Sequence, residues 1–226
     1  MSLTLHYHPL ASFCWKALIA LYENDTPFER VIVDFGDPTS RDTFYALWPI
    51  GNMPVLQDSA RSATVGESTI VIEYLEAHHP GRTALLPANK DAAREVRFWD
   101  RVYDTYIHHP MQKIVVDRLR PDGKGDGFGV EEAKTQLRDM YGFLDKALIG
   151  RHWAAGDDFT LADCSAAPAL FYASTIIPFE VGQRNLTGYF DRLAARPSFR
   201  RVLEEAEPYF QNFPLERKPR MPRPAP

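Results

Sequence analysis

The sequence predicts an α/β domain followed by an all-α domain: a small mixed four-stranded sheet with its helices, then a helical bundle. Two observations carry this. Over the first eighty residues the apolar positions switch between a period of two and a helical period, whereas beyond a proline-bearing connector only the helical period remains. The chain of 226 residues, 45% hydrophobic and 25% charged, has the composition of an ordinary folded protein of one or two domains.

Leu3, Leu5 and Tyr7 alternate with Thr4 and His6, as in a half-buried strand, and Pro9 ends it. In SFCWKALIALYE, Trp15, Leu18, Ile19 and Tyr22 share one helical face, which Ala17, Ala20 and Leu21 widen until the helix reads as mostly buried. Asn24, Asp25 and Pro27 stop it, and Phe28–Val33 reads as a second strand. Strand, helix, strand implies a parallel unit with a right-handed crossover. After a short helical segment near Arg41–Leu47, strands over Val55–Gln57 and Ala63–Val65 are joined too tightly for anything but an antiparallel hairpin. A helix from Glu67, with Val71, Tyr74, Leu75 and His78 on one face, completes a thioredoxin-like pattern over residues 1–80.

Residues 81–89, inside HPGRTALLPANKD, carry turn residues and read as a linker. The helical domain spans 90–215. Val96, Trp99, Tyr103 and Tyr106 are spaced for one long helix, which Pro110 should kink. Pro121–Gly129 is a glycine-rich loop with neither a Walker lysine nor a preceding strand. Ala133, Leu137, Met140, Tyr141, Leu144 and Leu148 form the next stripe. The alanine-rich Leu161–Ser174 reads as a central helix, Leu186–Ala195 and Ser198–Glu207 as the last two, and 216–226 as a mobile tail.

A net charge of −4 offers no general attraction to nucleic acid or an anionic membrane. No apolar run approaches the ~20 residues of a membrane span, and MSLTLHYHPL has no signal-peptide pattern. Two cysteines, Cys14 and Cys164, make neither a disulfide framework nor a Cys-x-x-Cys pair, and a cytoplasmic location is expected. The neighbouring His78–His79 and His108–His109 point apart on a helix, so no metal site is expected.

Three motifs bear on function. In Asn52-Met53-Pro54-Val55 the proline opens a strand, either as an ordinary trans turn proline or with a cis peptide bond that exposes the Met53 backbone to an extended ligand. Gly66-Glu67-Ser68-Thr69 starts a helix, either as a plain cap or as a carboxylate site with Glu67 accepting from an ammonium. Thr160-Leu161-Ala162-Asp163 is a capping box with Phe159 placed as a staple, and Asp163 reads as structural.

Together with the SFCWKALIALYE helix and AGDDFTLADCSAAPAL, these segments (PIGNMPVL and GEST among them) resemble the soluble glutathione transferases along nearly the whole chain. The resemblance implies a cis Pro54. It implies a γ-glutamyl site at Glu67 and Ser68, backbone contacts from Met53, and Asn52 or Arg41 at the glycyl carboxylate. The thiolate helper is Ser12 or Cys14. An ungapped comparison with the plant serine class puts Ala11 at that position and Ser12 one step later. His8 lies near the expected pocket.

The implied activity is glutathione activation, with glutathione as co-substrate and no metal, and its addition to a small apolar electrophile held by Tyr103, Tyr106, His109, Met111 and Ile114. The alternatives are a glutathione-dependent isomerase or thiol reductase using Cys14, and a catalytically silent binding module. A homodimer is expected, with no nucleic-acid or membrane partner.

Overall fold

The computed structural model describes residues 2–222. Its first half holds β1 (Leu3–Tyr7), α1 (Ser12–Glu23), β2 (Glu29–Ile32), α2 (Pro38–Leu47), β3 (Val55–Asp58), β4 (Ala63–Gly66) and α3 (Ser68–His78). The sheet order is β2-β1-β3-β4. β1 pairs with β2 in parallel, Leu5 opposite Arg30, and with β3 antiparallel, Leu5 opposite Leu56. The β3–β4 hairpin is antiparallel. This is the expected thioredoxin-like sheet. α2 starts three residues earlier than its apolar pattern suggested, because the Asp37 carboxylate caps the backbone N–H groups of Thr39 and Ser40.

Helices follow: α4 (Lys90–Tyr103), α5 (His109–Asp117), α6 (Gly127–Ala147), α7 (Leu161–Ile176), α8 (Arg184–Ala195) and α9 (Pro197–Ala206), then a 3₁₀ turn at Glu207–Asn212. The expected kink at Pro110 takes a particular form. α4 runs through a π turn at Asp104–His108 directly into α5. The Pro110 ring would collide with the carbonyl four residues back, and a wider i→i+5 turn relieves that collision without breaking the helix. The expected mobile tail is corrected in part: Pro219 is buried and Met221 packs on the core. Residues 223–226 of that expectation lie outside the described residues.

α1 is the keystone. It packs against α3, α7 and α9 at once, which is why apolar residues surround it on nearly every side. Trp15 sits fully buried among Phe171, Tyr172 and Phe199, and its indole N–H donates to the Pro9 carbonyl. Lys16 is also 0% exposed. Its ammonium donates to Asp100 (2.9 Å), Asp104 (2.8 Å) and Thr69 Oγ1 (3.0 Å), so one charge cluster ties α1 to α3, to α4 and to the π turn. At the other end of α1, Glu23 accepts from Arg196 (2.6 Å) and Ser198 (2.7 Å) on the far side of the chain. Among the described residues no helix is long and apolar enough to cross a membrane.

Candidate functional site

The start of α3 forms one corner of a cleft. Gly66 has no Cβ, and one built there would lie 2.2 Å from the Trp48 ring, so only glycine lets that indole close over the end of β4. Trp48 Nε1 donates to Asn52 Oδ1 (2.8 Å), and Asn52 Nδ2 in turn donates to Glu67 Oε1 (2.6 Å). Two motifs separated by the whole β3–β4 hairpin are thereby joined. The Met53–Pro54 bond between them is cis. Glu67 sits at φ 64°, a left-handed conformation that a non-glycine residue adopts only when its surroundings over-determine it, and such positions cluster at binding sites. Ser68, the first residue of α3, is beside it.

The start of α1 supplies the second corner. Its N-cap is Ala11, which has no side-chain acceptor, so the N–H groups of Ser12 and Phe13 have no partner among the described residues. Ser12 is 6% exposed, and its hydroxyl makes no hydrogen bond among the described residues. Phe13 lines the cleft, whereas neither Ser12 nor Cys14 reaches its wall. The reading of Cys14 as a working thiol is corrected: its side chain is fully buried in the core, and burial pushes the thiol up to about 12. At that value essentially no thiolate exists near neutral pH.

The third wall is the α4–π–α5 helix, and here the expected electrophile pocket changes character. Tyr103, Met111 and Ile114 are buried core residues, joined by Ile107. They recur at steps of four, four and three along a helix widened by the π turn, and that stripe faces away from solvent. The parallel stripe of Arg101, Thr105, His109 and Gln112, at the same steps, faces the cleft. Tyr106 is exposed on another surface, beside Phe128 and Met140. Of the five residues expected to hold the electrophile, only His109 lines this cavity, whose volume of about 640 Å³ is that of a small-molecule site.

Other expectations sort as follows. Neither Asn52 nor Arg41 lines the cleft itself: Asn52 is tied to Glu67 at its corner, whereas Arg41 is exposed on α2 and paired with Asp42. His8 accepts from the Leu10 N–H and lies edge-on to Tyr209, outside the cavity wall. His108 is buried while His109 is exposed, so that pair points apart; His78 and His79 instead both lie against Tyr74, at 4.6 and 6.1 Å between ring centres, and His79 bonds Asp58 at 2.8 Å. Among the described residues no group of three His, Cys, Asp or Glu is placed to hold a metal ion.

The sequence reading missed the floor of the cleft. Asp100 and Asp104 line it while bonded to the buried Lys16, and Ser165 donates to Asp100 from α7. His108 stacks on Phe13 at 4.3 Å. The available signal was a lysine inside an otherwise apolar helix, matched by two aspartates four residues apart.

Comparison with known proteins agrees with the geometry. The family model described as "Glutathione S-transferase, N-terminal domain" matches residues 5–83, and the one described as "Glutathione S-transferase, C-terminal domain" matches 109–197. Glutathione S-transferase 3 of Zea mays is 31% identical over 209 residues, covering 89% of this chain and 93% of the maize protein. FtsZ-localized protein A of Caulobacter vibrioides is 29% identical over 217 residues, covering 91% and 92%. The crystal structure of a glutathione S-transferase from Methylobacillus flagellatus, with GSH bound, superposes with a TM-score of 0.80 at 23% identity, covering 89% of this chain and 98% of that one.

Proposed function

The chain belongs to the glutathione S-transferase family, and from that premise we propose that it binds glutathione in this cleft and activates its thiol for attack on a small electrophile. The observation that carries the reading is the Asn52–Glu67 hydrogen bond, which joins the Met53–Pro54 turn to the start of α3. Glu67 accepts from the γ-glutamyl ammonium and Ser68 donates to its carboxylate. The Met53 backbone pairs with the cysteinyl unit and Asn52 lies toward the glycyl end. The protein acts in the cytoplasm as a homodimer, the usual assembly of the family.

A free thiol has a pKa near ~8.5, so a few per cent is ionised at pH 7. The open N–H groups at the start of α1, next to Phe13 on the cleft wall, favour the thiolate. Ser12 stands one residue behind that wall, and the reading requires its hydroxyl to turn toward the sulfur to donate a further hydrogen bond. The thiol proton leaves to solvent and the sulfur pair forms the new C–S bond. A leaving group then departs with its bonding pair or, after addition to an activated alkene, the carbanion takes a proton from water.

Two variants test this. Glu67→Ala removes the ammonium acceptor, and a charge-assisted hydrogen bond is worth roughly 1.5–3 kcal/mol. Glutathione affinity measured by calorimetry should weaken by about 10- to 150-fold; unchanged affinity refutes the placement. Ser12→Ala should leave binding nearly intact and slow conjugation near neutral pH by about 10- to 100-fold. Much of the rate should return at alkaline pH, and normal turnover at neutral pH removes Ser12 from the mechanism.

One observation favours a second reading, a transferase-like binding module without turnover: the N-cap of α1 is Ala11 rather than a hydroxyl residue. One relative is named for localisation to FtsZ rather than for an activity. Tight glutathione binding with no thiol ionisation would favour that module. The burial of Cys14 speaks against a reductase or isomerase that uses it.

A further inference from the structure

The segment after the 3₁₀ turn carries Arg217, Lys218 and Arg220 within four residues, in a protein whose net charge is −4. It forms no helix or strand, yet it is pinned. Pro219 is buried, Met221 packs on the core, and the Lys218 ammonium donates to the Phe213 carbonyl. Lys218 and Arg220 flank the buried proline and stay exposed, so both cations are held on the outer side. With Arg217 they line a pocket of about 310 Å³ against α7 and α8, which shares no residue with the cleft. Its apolar walls include the buried Phe171 and the half-buried Phe190. The Ser174 and Thr175 hydroxyls in its wall already donate to the Phe171 carbonyl, at 3.1 and 2.9 Å, so the cations are its free donors. No carboxylate lines it, and among the described residues Arg217 and Arg220 make neither an ion pair nor a side-chain hydrogen bond. By contrast Arg200 and Arg201 on α9 each pair with a glutamate one turn on, at 3.2 Å.

Like charges crowded into a concave, partly apolar site repel one another and focus a positive potential there, and an anion relieves the repulsion. We propose that this pocket binds the phosphate group of a small soluble anion, with Arg217 and Arg220 as its forks and Lys218 as a point charge. The proposal goes beyond the transferase reading and does not depend on it. A carboxylate is satisfied by one guanidinium, which takes both its oxygens in parallel hydrogen bonds. A phosphate monoester carries about −1.5 to −2 charge near pH 7 and three terminal oxygens, enough acceptors for two guanidiniums and an ammonium. The volume lies at the low end of the ~300–1,000 Å³ of small-molecule sites, so the phosphate enters with a small organic part that rests against Phe190.

Inorganic pyrophosphate and acetate are the probes, titrated by calorimetry into the full chain at fixed ionic strength. Pyrophosphate is expected to bind saturably and acetate far more weakly. Arg217→Gln with Arg220→Gln should weaken pyrophosphate binding by about ten-fold or more. The same variant should keep the glutathione affinity and the melting temperature of the wild type, because both side chains are exposed and apart from the cleft. Arg217→Lys with Arg220→Lys, which keeps the charge but not the forks, should fall between. No saturable binding of pyrophosphate, equal affinity in the glutamine variant, or acetate binding as tightly as pyrophosphate overturns the proposal. Co-sedimentation with vesicles of phosphatidylcholine and phosphatidic acid separates the two sources of a phosphate. Capture on the vesicles with no binding of soluble pyrophosphate also overturns the proposal, and assigns the pocket to a lipid headgroup instead.

Discussion

Lys16→Met is expected to destabilise the folded protein by about 3–5 kcal/mol, because it leaves Asp100 buried without its counter-charge and Asp104 with only the more distant Arg101 at 3.7 Å. The loss follows from the asymmetry of buried ion pairs. An intact pair does little more than offset its own desolvation, whereas removing one partner strands the other. For a chain of this size the melting temperature should fall by roughly 6–20 °C. Replacing the whole cluster, Lys16→Met with Asp100→Asn and Asp104→Asn, should recover much of that loss. Calorimetric scans of the single and triple variants check it, and a single variant that melts like the wild type removes the cluster from the account of how the two halves are tied.

Asp163→Ala should be nearly as severe and should spare the chemistry. The carboxylate is fully buried and accepts from the backbone N–H groups of Ala154 (2.9 Å) and Thr160 (2.9 Å) and from the Tyr189 hydroxyl (2.6 Å). An exposed helix cap is worth typically ~1 kcal/mol. Here the substitution also strands buried donors at about 1–3 kcal/mol each, so on the order of 3–5 kcal/mol is expected. Denaturant titration should show a lower midpoint, with turnover per folded molecule close to the wild type. Unchanged stability with lost activity would overturn the structural role.

The difference between these two cases shows what was legible in the sequence. Asp163 could be found because a capping box is local: Thr160 and Asp163 are three residues apart, and the pattern carries its own geometry. The strands and most helices were legible for the same reason. Lys16 could not be placed, because its partner Asp100 lies 84 residues away and no periodicity says which buried charge meets which. The π turn hid the helix wall in a similar way. Tyr103, Met111 and Ile114 were visible as an apolar stripe, but an apolar stripe marks the core as readily as a ligand pocket, and only the packing of α4 against α7 and of α5 against α6 shows which. The corner at Asn52 and Glu67 fell between these extremes. Each motif was visible alone, and the hydrogen bond joining them appears only once the hairpin folds back.

The central claim is that this cleft binds glutathione and lowers the pKa of its thiol. It is tested most directly by following the ultraviolet absorbance of the thiolate against pH, with glutathione saturating the wild-type protein. The account predicts saturable binding and a bound-thiol pKa at least about one unit below the ~8.5 of a free thiol. Binding with the thiol still titrating near ~8.5, or no saturable binding at all, would contradict it.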